Sequence, residues 1–190
     1  MNMNAYDFDR TIYKKDSSVE IYAFLLKKKP TLAFLCLPVQ IVAWAGFFMK
    51  LLTKEEMKAR YFCFLKHVDV EGFLDEFVDR EIGNIGQWYL ERKKPSDVII
   101  SASPRFLVER FAERLGVEHV IATEVDEHSG EFLSMNCHGE EKVRRFYEEF
   151  PDGQVDEFYS DSLSDAPMAR IAQKAFLVKV EEVVEWEKEG

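Results

Sequence analysis

Asp97-Val98-Ile99-Ile100-Ser101-Ala102-Ser103-Pro104 is the stretch on which the fold turns. Its apolar run does not alternate with polar residues, which is the pattern of a strand covered on both faces in a parallel sheet. The run ends in hydroxyls, and Ser103-Pro104 marks a helix start, because proline tolerates the first helical position. Ser103 reads there as a helix cap. An amphipathic helix to about Leu115 follows, then a strand over Glu118 to Thr123. Glu124 to Cys137, with Ser129-Gly130 at its centre, reads as a hairpin excursion. Gly139 to Phe150 is a predicted helix carrying Lys142 near its start. Val155 to Ser160 is a strand running into Asp161-Ser162-Leu163-Ser164-Asp165, a helix follows from about Ala166, and Ala175 to Val180 is a last strand. Strand and helix alternate, so the expectation is an α/β fold with a mostly parallel sheet. Chemistry in such sheets gathers at the carboxyl ends of the strands.

Near the start of the chain, Tyr6-Asp7-Phe8-Asp9-Arg10-Thr11 places two acids at the end of a short strand. Alternation along a strand would send them to opposite faces, but where the chain turns they can converge on one site. Two carboxylates meeting there suit a divalent cation, with one acid left to attack or to move protons. An acidic turn after an edge strand gives the same letters. The wider pattern favours chemistry, since Asp7, Asp9, Ser101 and Asp161 all fall at predicted carboxyl ends.

Between these halves, Asp16 to about Glu91 reads as helical throughout. Asp16, Ser17 and Ser18 are N-cap candidates ahead of Val19, Ile21, Tyr22, Leu25 and Leu26, which recur at helical spacing up to Lys27-Lys28-Lys29-Pro30. Thr31 to Met49 then holds no charged residue across 19 positions, interrupted only by Pro38 and Gly46. That length reaches the membrane-spanning threshold. The polar residues, the proline and the lysines at both ends leave three placements open: a helix or helical hairpin buried in a domain or a homodimer, a segment dipping into a bilayer interface, and a full span. Flanking lysines suit an anionic lipid surface. Helical pattern resumes over Lys54 to His67 and Val70 to Leu90.

The 190 residues carry a net charge of -10, which argues against a nucleic-acid partner. The charge is uneven, however: Arg10 to Lys66 hold 11 Lys and Arg against 4 Asp and Glu, a local +7. Three cysteines, Cys36, Cys63 and Cys137, lack disulfide or zinc spacing, so a reducing cytoplasmic setting is expected. Nor does Met1 to Phe8 read as a secretory signal. His67, His119, His128 and His138 show no paired metal spacing and read as structural or solvated. The acidic tail from Glu181 to Glu189 reads as a solvated helix face.

Taken in order, Asp7-Phe8-Asp9-Arg10-Thr11, Ile99-Ile100-Ser101, Lys142, and Asp161 with Asp165 resemble the four motifs of the haloacid dehalogenase superfamily. The helical insertion is similar to the cap of its phosphoserine-phosphatase-like subclass. A further likeness, to bacterial phosphatidylglycerophosphatases of the C type, spans nearly the whole chain. It rests on Lys28-Lys29-Pro30 before the apolar run, Ser101-Ala102-Ser103-Pro104, Met135-Asn136-Cys137-His138-Gly139-Glu140-Glu141-Lys142-Val143 and Tyr159-Ser160-Asp161-Ser162.

The resemblance implies a Rossmann-like catalytic core over residues 1–14 and 92–190, with an all-helical cap over 15–91. It implies a Mg²⁺-dependent phosphatase acting through an aspartyl-phosphate. Asp7 would be the nucleophile and Asp9 the acid and base; dehalogenases of the family lack an acid at that second place. Asp7, the Asp9 carbonyl and Asp161 would hold Mg²⁺. Ser101 and Lys142 would hold the transferring oxygens, with Arg10, Thr11, Ala102, Ser162 and Asp165 around the phosphate or behind these groups. The substrate would be a lipid-linked phosphate such as phosphatidylglycerophosphate or a soluble phosphorylated metabolite. The protein would be cytoplasmic, with its cap against the cytoplasmic face of the membrane in the lipid case. A membrane-associated binding protein without catalysis is the reading from another class; the intact acids and Lys142 disfavour it. Three positions depart from the family's habit: Arg10 stands where glycine is usual, Tyr159-Ser160 precede Asp161 in place of glycine, and Ser164 replaces a frequent asparagine.

Overall fold

The computed structural model describes residues 2–187. Its centre is one six-stranded sheet in the order β3-β2-β1-β4-β5-β6, formed by β1 (Asn2–Tyr6), β2 (Val98–Pro104), β3 (His119–Thr123), β4 (Gln154–Ser160), β5 (Lys174–Lys179) and β6 (Glu182–Glu185). The first five strands are parallel to their neighbours, and only β6 returns antiparallel along β5. β1 lies between β2 and β4, with Tyr6 opposite Ile99 on one side and Tyr159 on the other. That register sets Asp7, Ser101 and Asp161 at one edge. The α/β fold with a mostly parallel, Rossmann-like sheet is therefore as expected.

The unalternated apolar run of β2 is explained by cover on both faces. Ile99 packs with Tyr6, Phe8, Leu107 and Phe111, while Val98 and Ile100 pack on the other side with Met3, Ala5, Phe146 and Phe158. Successive side chains of one strand thus feed two separate cores. Helices α6 (Arg105–Leu115), α7 (Glu140–Glu149) and α8 (Ala166–Ile171) follow β2, β3 and β4. α6 stops at Gly116, whose φ of +69° is the left-handed closure glycine tolerates.

Between β1 and β2 the chain is helical: α1 (Ser17–Lys28), α2 (Thr31–Phe48), α3 (Lys54–Tyr61), α4 (Glu71–Glu81) and α5 (Gln87–Leu90). Asp16 caps α1, accepting from the Val19 amide at 3.1 Å. The stretch expected as one helix to His67 tightens into a 3₁₀ turn over Phe62–His67, and a second turn at Ile82–Asn84 splits the helix expected from Val70 to Leu90. The insertion shares a core with the sheet, Phe77 standing edge-on to Phe111 at 6.0 Å. Exposed ion pairs from Arg114 to Asp75 and Asp79, at 2.8 and 2.9 Å, span the same seam.

Helix α2 corrects one expectation. It is a single helix through Pro38, without a hairpin, and it is not buried: only Leu32, Cys36, Gln40 and Ala43 face inward. Those four recur at helical spacing on one stripe, so one line of contact holds the helix. The rest of its apolar surface faces out, Phe34 being 84% and Phe48 77% exposed. With a mean hydropathy of 1.9 it is long and apolar enough to cross a membrane.

The acidic tail differs from expectation as well. Glu181 is a turn and Glu182–Glu185 a strand, because Val183 packs against the core and Trp186, just beyond it, is buried on the opposite face. Lys188 and Glu189 lie outside the described residues. The expected hairpin over Glu124 to Cys137 is reduced to one bridge between Val125 and Phe132. All three cysteines are unpaired thiols.

Candidate active site

Asp7 is the first residue beyond β1, its amide donating to the Tyr159 carbonyl at 2.9 Å. The chain then folds into a tight loop, with the Tyr13 amide on the Phe8 carbonyl (2.9 Å) and the Arg10 amide on the Lys15 carbonyl (3.0 Å). Phe8, Ile12 and Tyr13 are wholly buried and anchor the loop from below. Asp7 and Asp9 consequently converge on a cavity of about 490 Å³ that Ser101, Ala102, Ser103, Lys142 and Asp161 also line. Arg10 takes a φ of +60°, the left-handed conformation that glycine usually supplies, and keeps it despite its side chain. Its guanidinium lies 3.9 Å from Asp16 and is largely exposed.

Lys142 is 1% exposed, and its Nζ lies 2.6 Å from Asp7 Oδ1 and 2.8 Å from Asp165 Oδ2. Asp165 Oδ2 also accepts from Ser160 Oγ at 2.8 Å, while its Oδ1 is buried with no partner among the described residues. Thr11 ties the two strand ends together: the Asp161 amide donates to its Oγ1 at 2.9 Å, and that hydroxyl reaches Asp7 Oδ2 at 3.4 Å. Ser101 and Ser162 stay within this cluster. The Ser101 hydroxyl accepts from the Ser103 amide at 3.1 Å, and the Ser162 amide donates to Ser160 Oγ at 3.1 Å. Ala102 contributes main chain, its carbonyl accepting from Thr123 Oγ1 at 3.1 Å.

Ser103 is not a helix cap. Pro104 occupies that position without a side-chain bond, and Ser103 Oγ instead donates to Asp9 Oδ2. Asp9 Oδ1 accepts from the Ser17 amide at 2.7 Å. Ser17, Ser18, Ser103 and Ser160 were thus missed as site residues; only the two-residue offset of Ser103 from Ser101 hinted at any of them. His138 lines the cavity together with Lys58 from α3.

Crowded acids shift the titrations. Burial pushes Asp7 up to about 7, opposed by Lys142 and reinforced by Asp165 and Asp9. Burial and the nearby Asp16 push Asp9 up to about 6, against the donors Ser103 and Ser17. Asp161 is raised by burial, with Arg10 opposing. Lys142 stays charged, since Asp7 and Asp165 outweigh the burial that pulls its pKa down. Asp7 and Asp165 share the buried ammonium while Asp9 and Asp161 line the same cavity, so carboxylates outnumber it and the local charge has room for a cation. Among the described residues no three His, Cys, Asp or Glu side chains gather as a ligand group. An all-oxygen site with one or two carboxylates, completed by main chain and water, is what Mg²⁺ accepts. Asp7 and Asp161 fit that description.

The profile of haloacid dehalogenase-like hydrolases matches residues 5–170, most of the chain. The chain belongs to that family. This hydrolase shares its fold with a Bordetella pertussis Tohama I protein of unknown function, at TM-score 0.74 and 20% identity over 92% of this chain and 88% of that one. A phosphoserine phosphohydrolase-like protein from Francisella tularensis subsp. tularensis SCHU S4 superposes at TM-score 0.58 with 17% identity, covering 92% and 86% of the two chains. A phosphoserine phosphatase carrying a phospho-aspartyl intermediate analogue gives TM-score 0.52 and 18% identity, covering 91% and 84%. No curated protein matches the sequence of this hydrolase.

Proposed function

We propose that this hydrolase is a phosphomonoesterase that works through an aspartyl-phosphate on Asp7. The observation that carries the reading is the buried Asp7 held 2.6 Å from the Lys142 ammonium, with Asp9 beside it and Ser101 across the same cavity. An Asp7 oxygen attacks phosphorus as the bond to the leaving alcohol breaks, and the Asp9 carboxyl gives that alcohol its proton. Asp9, now ionised, takes a proton from the water that attacks the aspartyl-phosphate, releasing inorganic phosphate and restoring Asp7. Lys142, the Ser101 hydroxyl and neighbouring amides hold the phosphoryl oxygens. Asp165 and Ser160 fix Lys142, and Thr11 keeps Asp7 and Asp161 at one height. Asp7, the Asp9 carbonyl and Asp161 would hold Mg²⁺, which when bound offsets the charge between carboxylate and phosphate. The fold shared with a phosphoserine phosphatase bearing a phospho-aspartyl analogue supports this chemistry.

For the substrate we favour a lipid-linked or amphipathic phosphate such as phosphatidylglycerophosphate. We read residues 15–91 as a cap over the core at 1–14 and 92–190. The cavity wall on the cap side is largely apolar, with Val19, Trp44, Met57 and Phe62. Trp44 belongs to α2, so the exposed apolar helix runs into the cavity, with Lys27, Lys28 and Lys29 before it and Lys50 after it. That combination suits an anionic bilayer surface at the cytoplasmic face. A small soluble substrate of the phosphoserine or sugar-phosphate type is the second reading, favoured by the phosphoserine phosphatase neighbours.

The deciding experiment measures Mg²⁺-dependent phosphate release from phosphatidylglycerophosphate in mixed micelles and from phosphoserine. Asp7→Asn is expected to abolish both, and a clear preference for phosphoserine would overturn the lipid reading. Sedimentation with anionic vesicles, before and after Trp44→Ser and Lys27, Lys28 and Lys29→Glu, tests the surface. Unchanged vesicle binding, or a dimer in solution that hides α2, would remove the bilayer from the account.

A further inference from the structure

The Ser103 hydroxyl is 5% exposed in its residue and has more partners than any packing role requires. Its oxygen touches Asp9 Oδ2, Ser17 Oγ at 3.3 Å and Ser18 Oγ at 3.2 Å. A serine hydroxyl has one proton and two lone pairs. An ionised Asp9 can only accept, so the proton of Ser103 points at Asp9 and both lone pairs are left for Ser17 and Ser18. With the Ser17 amide on Asp9 Oδ1 at 2.7 Å, each oxygen of the acid is held from a different side. Asp9 nonetheless lines the cavity, so the acid held in this way stays within reach of a substrate. The Ser103 amide meanwhile donates to Ser101 Oγ at 3.1 Å, so one residue links the acid to the hydroxyl at the end of β2.

We propose that Ser103 is a positioning residue for Asp9: it aims the carboxyl at the leaving oxygen, and through Ser17 and Ser18 it makes that aim depend on the seating of α1. This rests on the phosphomonoesterase reading above. In the step concerned, the bond from phosphorus to the leaving oxygen breaks while an Asp7 oxygen bonds to phosphorus, and the proton on Asp9 passes to the leaving oxygen. An alkoxide is too basic to leave without that proton, whereas a nitrophenolate leaves without it. Misaiming Asp9 therefore penalises alkyl phosphates selectively.

The test compares kcat/KM for glycerol phosphate and for p-nitrophenyl phosphate, because kcat/KM reports the first phosphoryl transfer and not the later hydrolysis. In Ser103→Ala the aryl-over-alkyl ratio is expected to rise on the order of 10–100-fold, a fraction of what general acid catalysis contributes. Ser103→Thr, which keeps the hydroxyl, is expected to restore the ratio to near that of the unaltered protein. Equal losses on both substrates, or an unchanged ratio with the thermal midpoint preserved, would overturn the proposal, since a purely structural serine lowers both alike. An unaltered protein that hydrolyses neither these two nor phosphatidylglycerophosphate in mixed micelles would instead remove the phosphomonoesterase reading, and this proposal with it.

Discussion

Lys142→Met tests the electrostatics of the site directly. The substitution keeps the unbranched stem but ends one atom short of the ammonium, in a place 1% exposed, and so deletes a cation 2.6 Å from Asp7 and 2.8 Å from Asp165. Stripping a buried ion group of its cation costs about 3–5 kcal/mol. The pH dependence follows from Asp7. Burial already raises its folded pKa from 3.8 to about 7, so in the unaltered protein its ionisation lowers stability as pH rises between those values and no further. Without Lys142, the strongest downward pull on Asp7 is gone and its folded pKa climbs above about 7. The variant then goes on losing stability where the unaltered protein has stopped, by up to roughly 1.4 kcal/mol per pH unit. Urea denaturation in the presence of a chelator, at about pH 6 and about pH 8.5, reads both terms. A deficit under about 1 kcal/mol at both pH values, or one that shrinks as pH rises, would refute the reasoning. Lys142→Met combined with Asp165→Asn removes one uncompensated carboxylate and is expected to recover part of the loss. Turnover of an aryl phosphate by the single variant is expected to fall about 10²–10³-fold, the usual cost of removing one preorganised donor.

Three further outcomes are expected. Arg10→Gly relieves a side chain held at φ +60° and gives up an exposed contact with Asp16 at 3.9 Å and the pull of its charge on Asp161, so stability rises by about 0.5–1 kcal/mol; a loss would show that Arg10 is anchored. Gly130→Ala drives a methyl into the Phe62 carbonyl oxygen at φ +75° and is expected to cost about 2–3 kcal/mol in chemical denaturation, a cost near zero being the contrary result. Asp97 is buried with one oxygen lacking a hydrogen-bond partner among the described residues, and burial raises it from 3.8 to about 6. Its ionisation therefore lowers stability as pH climbs through that window, and Asp97→Asn is expected to flatten the stability curve there; an unchanged slope would exonerate Asp97.

The sheet, and the meeting of Asp7, Ser101, Lys142 and Asp161 around one cavity, were legible because each rests on local pattern. Val98, Ile99 and Ile100 announce a doubly covered strand, and Asp7, Ser101, Lys142 and Asp161 each follow or begin an element whose period is visible. What was not legible depends on long-range approach. Ser103 meets Asp9 across 94 positions and Ser17 across 86, and no periodicity records a contact of that kind. The conformation of Arg10 is imposed by loop closure, through the Lys15 carbonyl and the buried Phe8, and the residue type alone points the other way. In the tail, counting Glu181, Glu182, Glu185 and Glu187 as one charged face hid the strand, whose pairing with β5 and buried Trp186 outweigh the charge.

Helix α2 is where sequence pattern left several placements open and burial removes one, the interior of the chain's own core. An uncharged helix inside a domain core would hide its large side chains, and this one hides Leu32, Cys36, Gln40 and Ala43 while Ile41 stands 65% and Val42 69% exposed. The inward stripe is closed by the hydrogen bonds of Gln40 to Tyr22 and to the Tyr61 carbonyl, both at 3.0 Å, so the helix is seated and its outer surface is a settled feature of the fold. An apolar surface of that extent on a protein otherwise charged at -10 is costly in water unless something covers it. The same insertion reaches Asp9 through Ser17 at one end and presents α2 at the other, with Trp44 in the cavity between them. Whatever covers α2 therefore bears on the same insertion whose Ser17 amide holds Asp9.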